Sequence, residues 1–138
     1  MAVTAVTDGT SVTFDKTAPT ISTSSIASDN STTTLATTGD TVTLTIATNE
    51  NVTSPTVSFT SGGDAATNND TVAGDSPGNS FTSTYTVHAS DTDGSVAISI
   101  SATDVAGNVT SGHTSISGGS VTVDNTCLLY TSPSPRDA

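Results

Sequence analysis

The chain is nearly without positive charge. Two Lys or Arg residues stand against thirteen Asp or Glu, giving a net charge of −11. A surface that neutralises phosphates needs clustered Lys and Arg, so nucleic acid is excluded as a partner. The same deficit argues against docking on anionic membranes. Apolar runs are short, and none approaches the ~20 residues a membrane helix needs, so no membrane insertion is expected. Met1-Ala2-Val3-Thr4 has neither a basic start nor an apolar stretch and does not read as a signal peptide. Tryptophan is absent, and the aromatics are two tyrosines and three phenylalanines. Sugar-binding platforms usually expose aromatics, and this chain has too few to spare from a core. The one cysteine is Cys127, within a terminal segment unlike the rest. Disulfides, thiol chemistry and a cysteine-type zinc site are therefore excluded from the domain itself.

Serine and threonine fill the space, at more than a third of the residues. They alternate with apolar residues at a period of two. Val42, Leu44 and Ile46 are separated by threonines, Val57 and Phe59 by Ser58, and Phe81, Tyr85 and Val87 share one parity. Val96, Ile98, Ile100 and Ala102 repeat the pattern, as do Val121 and Val123. Such runs read as strands with one face on a core and one in water. Threonine suits the wet face because its branched side chain favours pleated backbone. No segment carries a helical stripe.

Turn signals separate the runs: Gly39-Asp40, Asn49-Glu50-Asn51, Gly62-Gly63, Gly74 to Gly78, Asp93-Gly94, Gly107-Asn108 and Gly118-Gly119. About seven strands are expected, at 20–26, 41–48, 55–60, 70–73, 81–88, 95–103 and 118–124, with a long polar loop from Ser61 to Ser80. That pattern predicts an all-β fold, an antiparallel β-sandwich of immunoglobulin type. The expected core includes Val42, Leu44, Ile46, Val57, Phe59, Tyr85, Val96, Ile98 and Ile100, with Phe81 and Phe14 among its large residues.

One string occurs twice. Ser11-Val12-Thr13-Phe14-Asp15-Lys16-Thr17 returns as Ser120-Val121-Thr122-Val123-Asp124-Asn125-Thr126, shifted by 109 positions with five of seven residues identical. Self-similarity at fixed spacing marks a tandem array. Residues 1–17 then read as the last strand and linker of a preceding repeat, and 18–126 as one full repeat. After Thr126 the register breaks. Cys127-Leu-Leu-Tyr-Thr-Ser-Pro-Ser-Pro-Arg136-Asp-Ala138 resembles the translation of a transposase adapter used in preparing DNA sequencing libraries, so 127–138 is expected to be a non-native tail.

Phe14-Asp15-Lys16-Thr17-Ala18-Pro19-Thr20, Gly39-Asp40-Thr41-Val42, Pro55-Thr56-Val57, Tyr85-Thr86-Val87, Asp91-Thr92-Asp93-Gly94 and Thr103-Asp104-Val105-Ala106-Gly107-Asn108 follow one another in this order. The set resembles the bacterial Ig-like repeats found in tandem in very large surface and secreted adhesins, over residues 1–126. The resemblance implies a sandwich fold, a structural or adhesive role, neighbouring Ig-like repeats of the same chain as partners, and an extracellular or cell-surface location. It identifies no ligand.

Catalysis is not expected. His88 reads as a solvated residue on the polar parity of its strand, and His113 as a loop residue. Neither stands in a nucleophile elbow or a zinc-spaced cluster. An isopeptide cross-link needs a lysine in the core, and the sole lysine, Lys16, lies in the linker.

Calcium is the one chemistry the residue types suggest, because hard cations take several carboxylate and carbonyl oxygens. In a seven-strand sandwich the loops sort to two poles. Asp15, Asn49, Glu50, Asp104 and Asn108 fall at the leading pole, where the chain enters. Asp29, Asp40, Asp64, Asp91, Asp93 and Asp124 fall at the trailing pole. In tandem, the trailing pole of one repeat faces the leading pole of the next. Asp91, Asp93 and Asp124 would then meet the neighbour's equivalents of Glu50 and Asp104 around a shared ion. The competing interpretation is that these Asp-Gly and Gly-Asn pairs simply form turns. Two functions follow: a stalk spacer rigidified by calcium at its junctions, or a ligand- or carbohydrate-binding accessory module of a secreted protein.

Overall fold

The computed structural model describes residues 14–67 and 69–126. The tail expected at 127–138 and, of the preceding repeat's strand and linker expected in residues 1–17, residues 1–13 lie outside the described residues. Within them, ten strands form and no helix does. They are β1 (Ile21–Ser28), β2 (Leu35–Ala36), β3 (Thr41–Val52), β4 (Thr56–Ser61), β5 (Asp64–Ala65), β6 (Asn69–Gly74), β7 (Gly78–Thr86), β8 (Gly94–Thr103), β9 (Val109–His113) and β10 (Thr122–Val123).

One sheet has the order β1-β3-β7-β6; the other has β2-β10-β8-β4-β5, with β9 also paired to β8. All ladders are antiparallel except β10 with β2, which is parallel. The first sheet is the A-B-E-D order of an immunoglobulin constant-type domain, and β4, β8 and the β9–β10 segment supply C, F and G. The fold is an all-β sandwich.

The alternation of the sequence is what builds it. In β3, Val42, Leu44 and Ile46 point inward and are fully buried, while the intervening threonines face outward. Register sets Val42 opposite Tyr85 and Ile46 opposite Phe81 in one sheet, and Phe59 opposite Ile98 in the other. Between the sheets the rings of Phe59 and Tyr85 stack at 5.5 Å. Cross-strand and cross-sheet pairs of aromatic and branched residues of this kind hold a sandwich together.

Some expectations need correction. Phe14 is not core: it is 85% exposed, because it precedes β1 and nothing of the sandwich covers it. Val57 shares the parity of Phe59 but is only half-buried, on the stretch of β4 that β5 does not flank. His88 lies in the turn after β7 rather than on a strand, and His113 is the last residue of β9 rather than a loop residue. The long loop from Ser61 to Ser80 contains β5, β6 and the start of β7. The expected last strand splits in two. Between β9 and β10 the chain leaves β8, and Ser117 N donates to Ser24 O at 2.7 Å while Ile26 N donates to Gly118 O at 2.9 Å. The segment thereby closes the sandwich against the edge of the other sheet.

Strand β8 joins the two poles. Its ten residues span about 30 Å at ~3.3 Å per residue. Asp93 therefore stands at one end of the domain and Asp104 at the other. The trailing end is drawn tight by two glycines. Gly94, at φ +141°, comes so close to Gly62 that an added Cβ would lie 2.6 Å from the Gly62 Cα. Only a residue without a side chain allows that approach.

Candidate functional site

At the leading pole the chain enters, β3 ends and the β8–β9 turn projects. Three devices bring these together. Asn49 brackets the start of β1, its Oδ1 accepting from Thr20 N at 2.7 Å and its own N donating to Thr20 O at 3.0 Å. Pro19 is buried, and its carbonyl accepts from the Thr110 hydroxyl. Asn108 Nδ2 donates to the Asp15 carbonyl at 2.8 Å, fixing the linker to the turn. A bridge between Val52 and Asp104 joins the end of β3 to the same turn.

The result is a cluster. One carboxylate oxygen each from Asp15, Glu50 and Asp104 lies within 4.8 Å of the others. Two oxygens on opposite sides of a calcium ion, each about 2.4 Å from it, stand about 4.8 Å apart, so the spacing fits one shared ion. Asp15 and Glu50 border a pocket of about 500 Å³ completed by Asn51, Val105 and Ala106. No imidazole or sulfur takes part, and an all-oxygen donor set selects hard cations.

Asp104 is the anchor. It is 2% exposed, and Asn108 holds both of its oxygens, through N at 2.8 Å and Nδ2 at 2.8 Å. The Asn108 side-chain hydrogen bond keeps its pKa below the usual carboxylate range, backbone N–H groups of the turn help, and desolvation opposes them. It therefore stays charged beside two other acids. Each carboxylate oxygen has more than one lone pair, so accepting a hydrogen bond leaves room for a cation.

The trailing pole uses its acids otherwise. Asp91 is buried and accepts four hydrogen bonds: from Thr67 N at 2.8 Å, Thr67 Oγ1 at 2.6 Å, the Tyr85 hydroxyl at 2.5 Å and His88 N at 2.8 Å. Desolvation, the largest single influence, pushes its pKa up, but the donors from Thr67, Tyr85 and His88 together outweigh it and bring the value to about 2. Burial and the Asp91 hydrogen bond in turn raise the Tyr85 phenol. Asp93 accepts from Asn125 N at 2.6 Å and from the Thr126 hydroxyl, and its pKa is lowered chiefly by the latter. Asp124 caps its own turn by accepting from Thr126 N at 3.1 Å. Asp29 accepts from Thr41 N, Asp40 from Asn30 Nδ2 and Thr37 N, and Asp64 from the Thr92 hydroxyl.

So the structure brings together Asp15, Glu50 and Asp104, with Asn108 as their brace. It sets Asp91, Asp93 and Asp124 at the far pole, each engaged in shaping a turn. Thr67 and Thr110 escaped sequence reasoning, as did the roles at the poles of Tyr85, read as core, and of Asn51, read as a turn residue. Of these only Tyr85 left a signal, since a core tyrosine needs a partner for its hydroxyl. Comparison with protein-family models finds no match, and a search of the curated proteins finds none either.

Proposed function

We propose that this domain is a spacer in the stalk of a large bacterial surface or secreted adhesin, repeated in tandem and stiffened by calcium at its junctions. In this reading residues 1–17 belong to the preceding repeat, 18–126 form the repeat, and 127–138 are foreign. The observation that carries it is the convergence of linker residue Asp15 with Glu50 and Asp104 at the pole where a preceding repeat would attach. A linker acid that meets two domain acids leaves a cation as the means of neutralising all three, and so couples ion binding to linker geometry. Three carboxylates supply only part of the about six to eight oxygens calcium prefers, so a single repeat would bind weakly, with Kd on the order of 10⁻⁴–10⁻³ M. The ligand-binding alternative finds little support, because Phe59, Phe81 and Tyr85 are buried and, among the described aromatics, Phe14 in the linker stands exposed alone. The location outside the cell rests on the family resemblance alone.

Small-angle scattering of a two-repeat protein tests the proposal. An extended, stiff profile in calcium and a flexible one in chelator are expected. Identical profiles would remove calcium and leave a passive spacer.

A further inference from the structure

The last four residues of the repeated heptapeptide, 14–17 and 123–126, lie near the two ends of the domain, and both copies make the same turn there. Thr17 N donates to Asp15 Oδ1 at 2.9 Å, and Thr126 N donates to Asp124 Oδ1 at 3.1 Å. Beyond that shared bond, the copies are held from opposite sides. The first is gripped by the domain that follows it, through Asn108 Nδ2 on the Asp15 carbonyl. The second is gripped by the domain that precedes it. Asp124 N donates to Ala36 O at 2.8 Å, and Asn125 N and the Thr126 hydroxyl both donate to Asp93. Asn125 Nδ2 donates to His88 O at 2.9 Å, and Asn125 Oδ1 accepts from Thr38 Oγ1 at 2.9 Å.

The two sets of contacts use different atoms. Asn108 takes the carbonyl of the aspartate, while the trailing-pole contacts take that residue's N–H and the two residues after it. One strap can satisfy both at once. The substitution between the copies fits this division. Position 16 is Lys and position 125 is Asn, and the side chain there is read only from the trailing side. The leading pole also carries apolar surface that a neighbour would cover: Val105 and Val109 are 67% and 56% exposed.

We propose that Asp124-Asn125-Thr126 is a two-sided strap whose partner is a second copy of this domain, gripped by Asp93 of one repeat and by Asn108 of the next. The strap fixes the direction in which the next repeat leaves. Asp93 is then a positioning residue of the junction rather than a cation ligand. This rests on the tandem reading above and adds a hydrogen-bonded device independent of the ion.

The test uses residues 1–126 followed by a second copy of 18–126, which preserves the 109-residue register. This protein has no native cysteine, so Thr45→Cys in each repeat, on the exposed face of β3, takes a pair of spin labels. In calcium a single narrow distance distribution is expected. Asp93→Ala or Thr126→Val in the first repeat should each broaden it, and the same changes in the second repeat should leave it narrow. Thr126→Val removes no charge from an exposed position, so a junction held by a cation alone predicts no change for it. A narrow distribution that survives first-repeat Thr126→Val would overturn the strap and leave the spacer standing. A broad distribution for the unsubstituted protein in calcium would overturn both.

Discussion

The two poles of this sandwich hold the same kind of residue and use it in opposite ways. At the trailing pole Asp29, Asp40, Asp64, Asp91, Asp93 and Asp124 each accept hydrogen bonds that build a turn. At the leading pole Asp15 and Asp104 also accept turn hydrogen bonds, but there their carboxylates and that of Glu50 are drawn toward one another as well. A carboxylate whose neighbours are all donors serves as architecture. Carboxylates that also face one another raise one another's energy, which a cation would relieve. The difference lies in what surrounds the acid, and for that reason a count of acids is a poor guide to a metal site.

The contrast can be broken experimentally, most severely through the core that both poles share. Leu44→Ala removes a fully buried side chain and should cost about 2–5 kcal/mol in chemical denaturation. A change within error would mean that the strand parity is misread. Asp91→Ala comes next. It leaves the buried Tyr85 hydroxyl and two backbone N–H groups without their acceptor, and should cost about 2–4 kcal/mol. A cost no larger than that of a surface aspartate would mean that these hydrogen bonds do not build the trailing pole.

Acid provides a finer probe. The folded-state pKa of Asp91 is about 2, below the roughly 3.9 of an unfolded chain. Its contribution is therefore fully present above about pH 4 and is lost as pH falls toward about 2. The stability difference between the native chain and Asp91→Ala should shrink across that window. A difference constant down to about pH 2 would show that packing, not charge, carries the effect. The smallest change belongs to the leading pole. Glu50→Gln, in chelator, should shift stability by no more than about 0.5 kcal/mol, because it removes repulsion and breaks no buried bond. A large loss would mean Glu50 is structural and would erase the contrast between the poles.

Much of this was legible from the residues. Strict alternation in Val42-Thr43-Leu44-Thr45-Ile46 and in Val96 to Ala102 fixed which face is buried, since a slip of one position would expose every apolar side chain. Strand direction then sorted the acidic loops to their poles. Strand β9 was hidden because Val109-Thr110-Ser111-Gly112-His113 pairs at an edge with no face buried, so its sequence carries no apolar period. The split of the last strand was hidden because it is held by backbone atoms of Ser117 and Gly118 and by the hydroxyls of Ser24 and Ser117, ninety-three residues apart. The division of labour among the acids was not legible either. Asp91 depends on Thr67, twenty-four residues away, and Asp15 depends on Asn108, ninety-three away. Local spacing holds no record of such partners.

Calcium titration of the chain followed by backbone amide NMR tests the contrast most directly. Shifts are expected at Asp15, at Glu50 and Asn51, and through Asp104 to Asn108, with Asp91, Asp93 and their donors Thr67, His88 and Asn125 unmoved. Shifts centred on Asp91 and Asp93, or none at either pole at millimolar calcium, would contradict it.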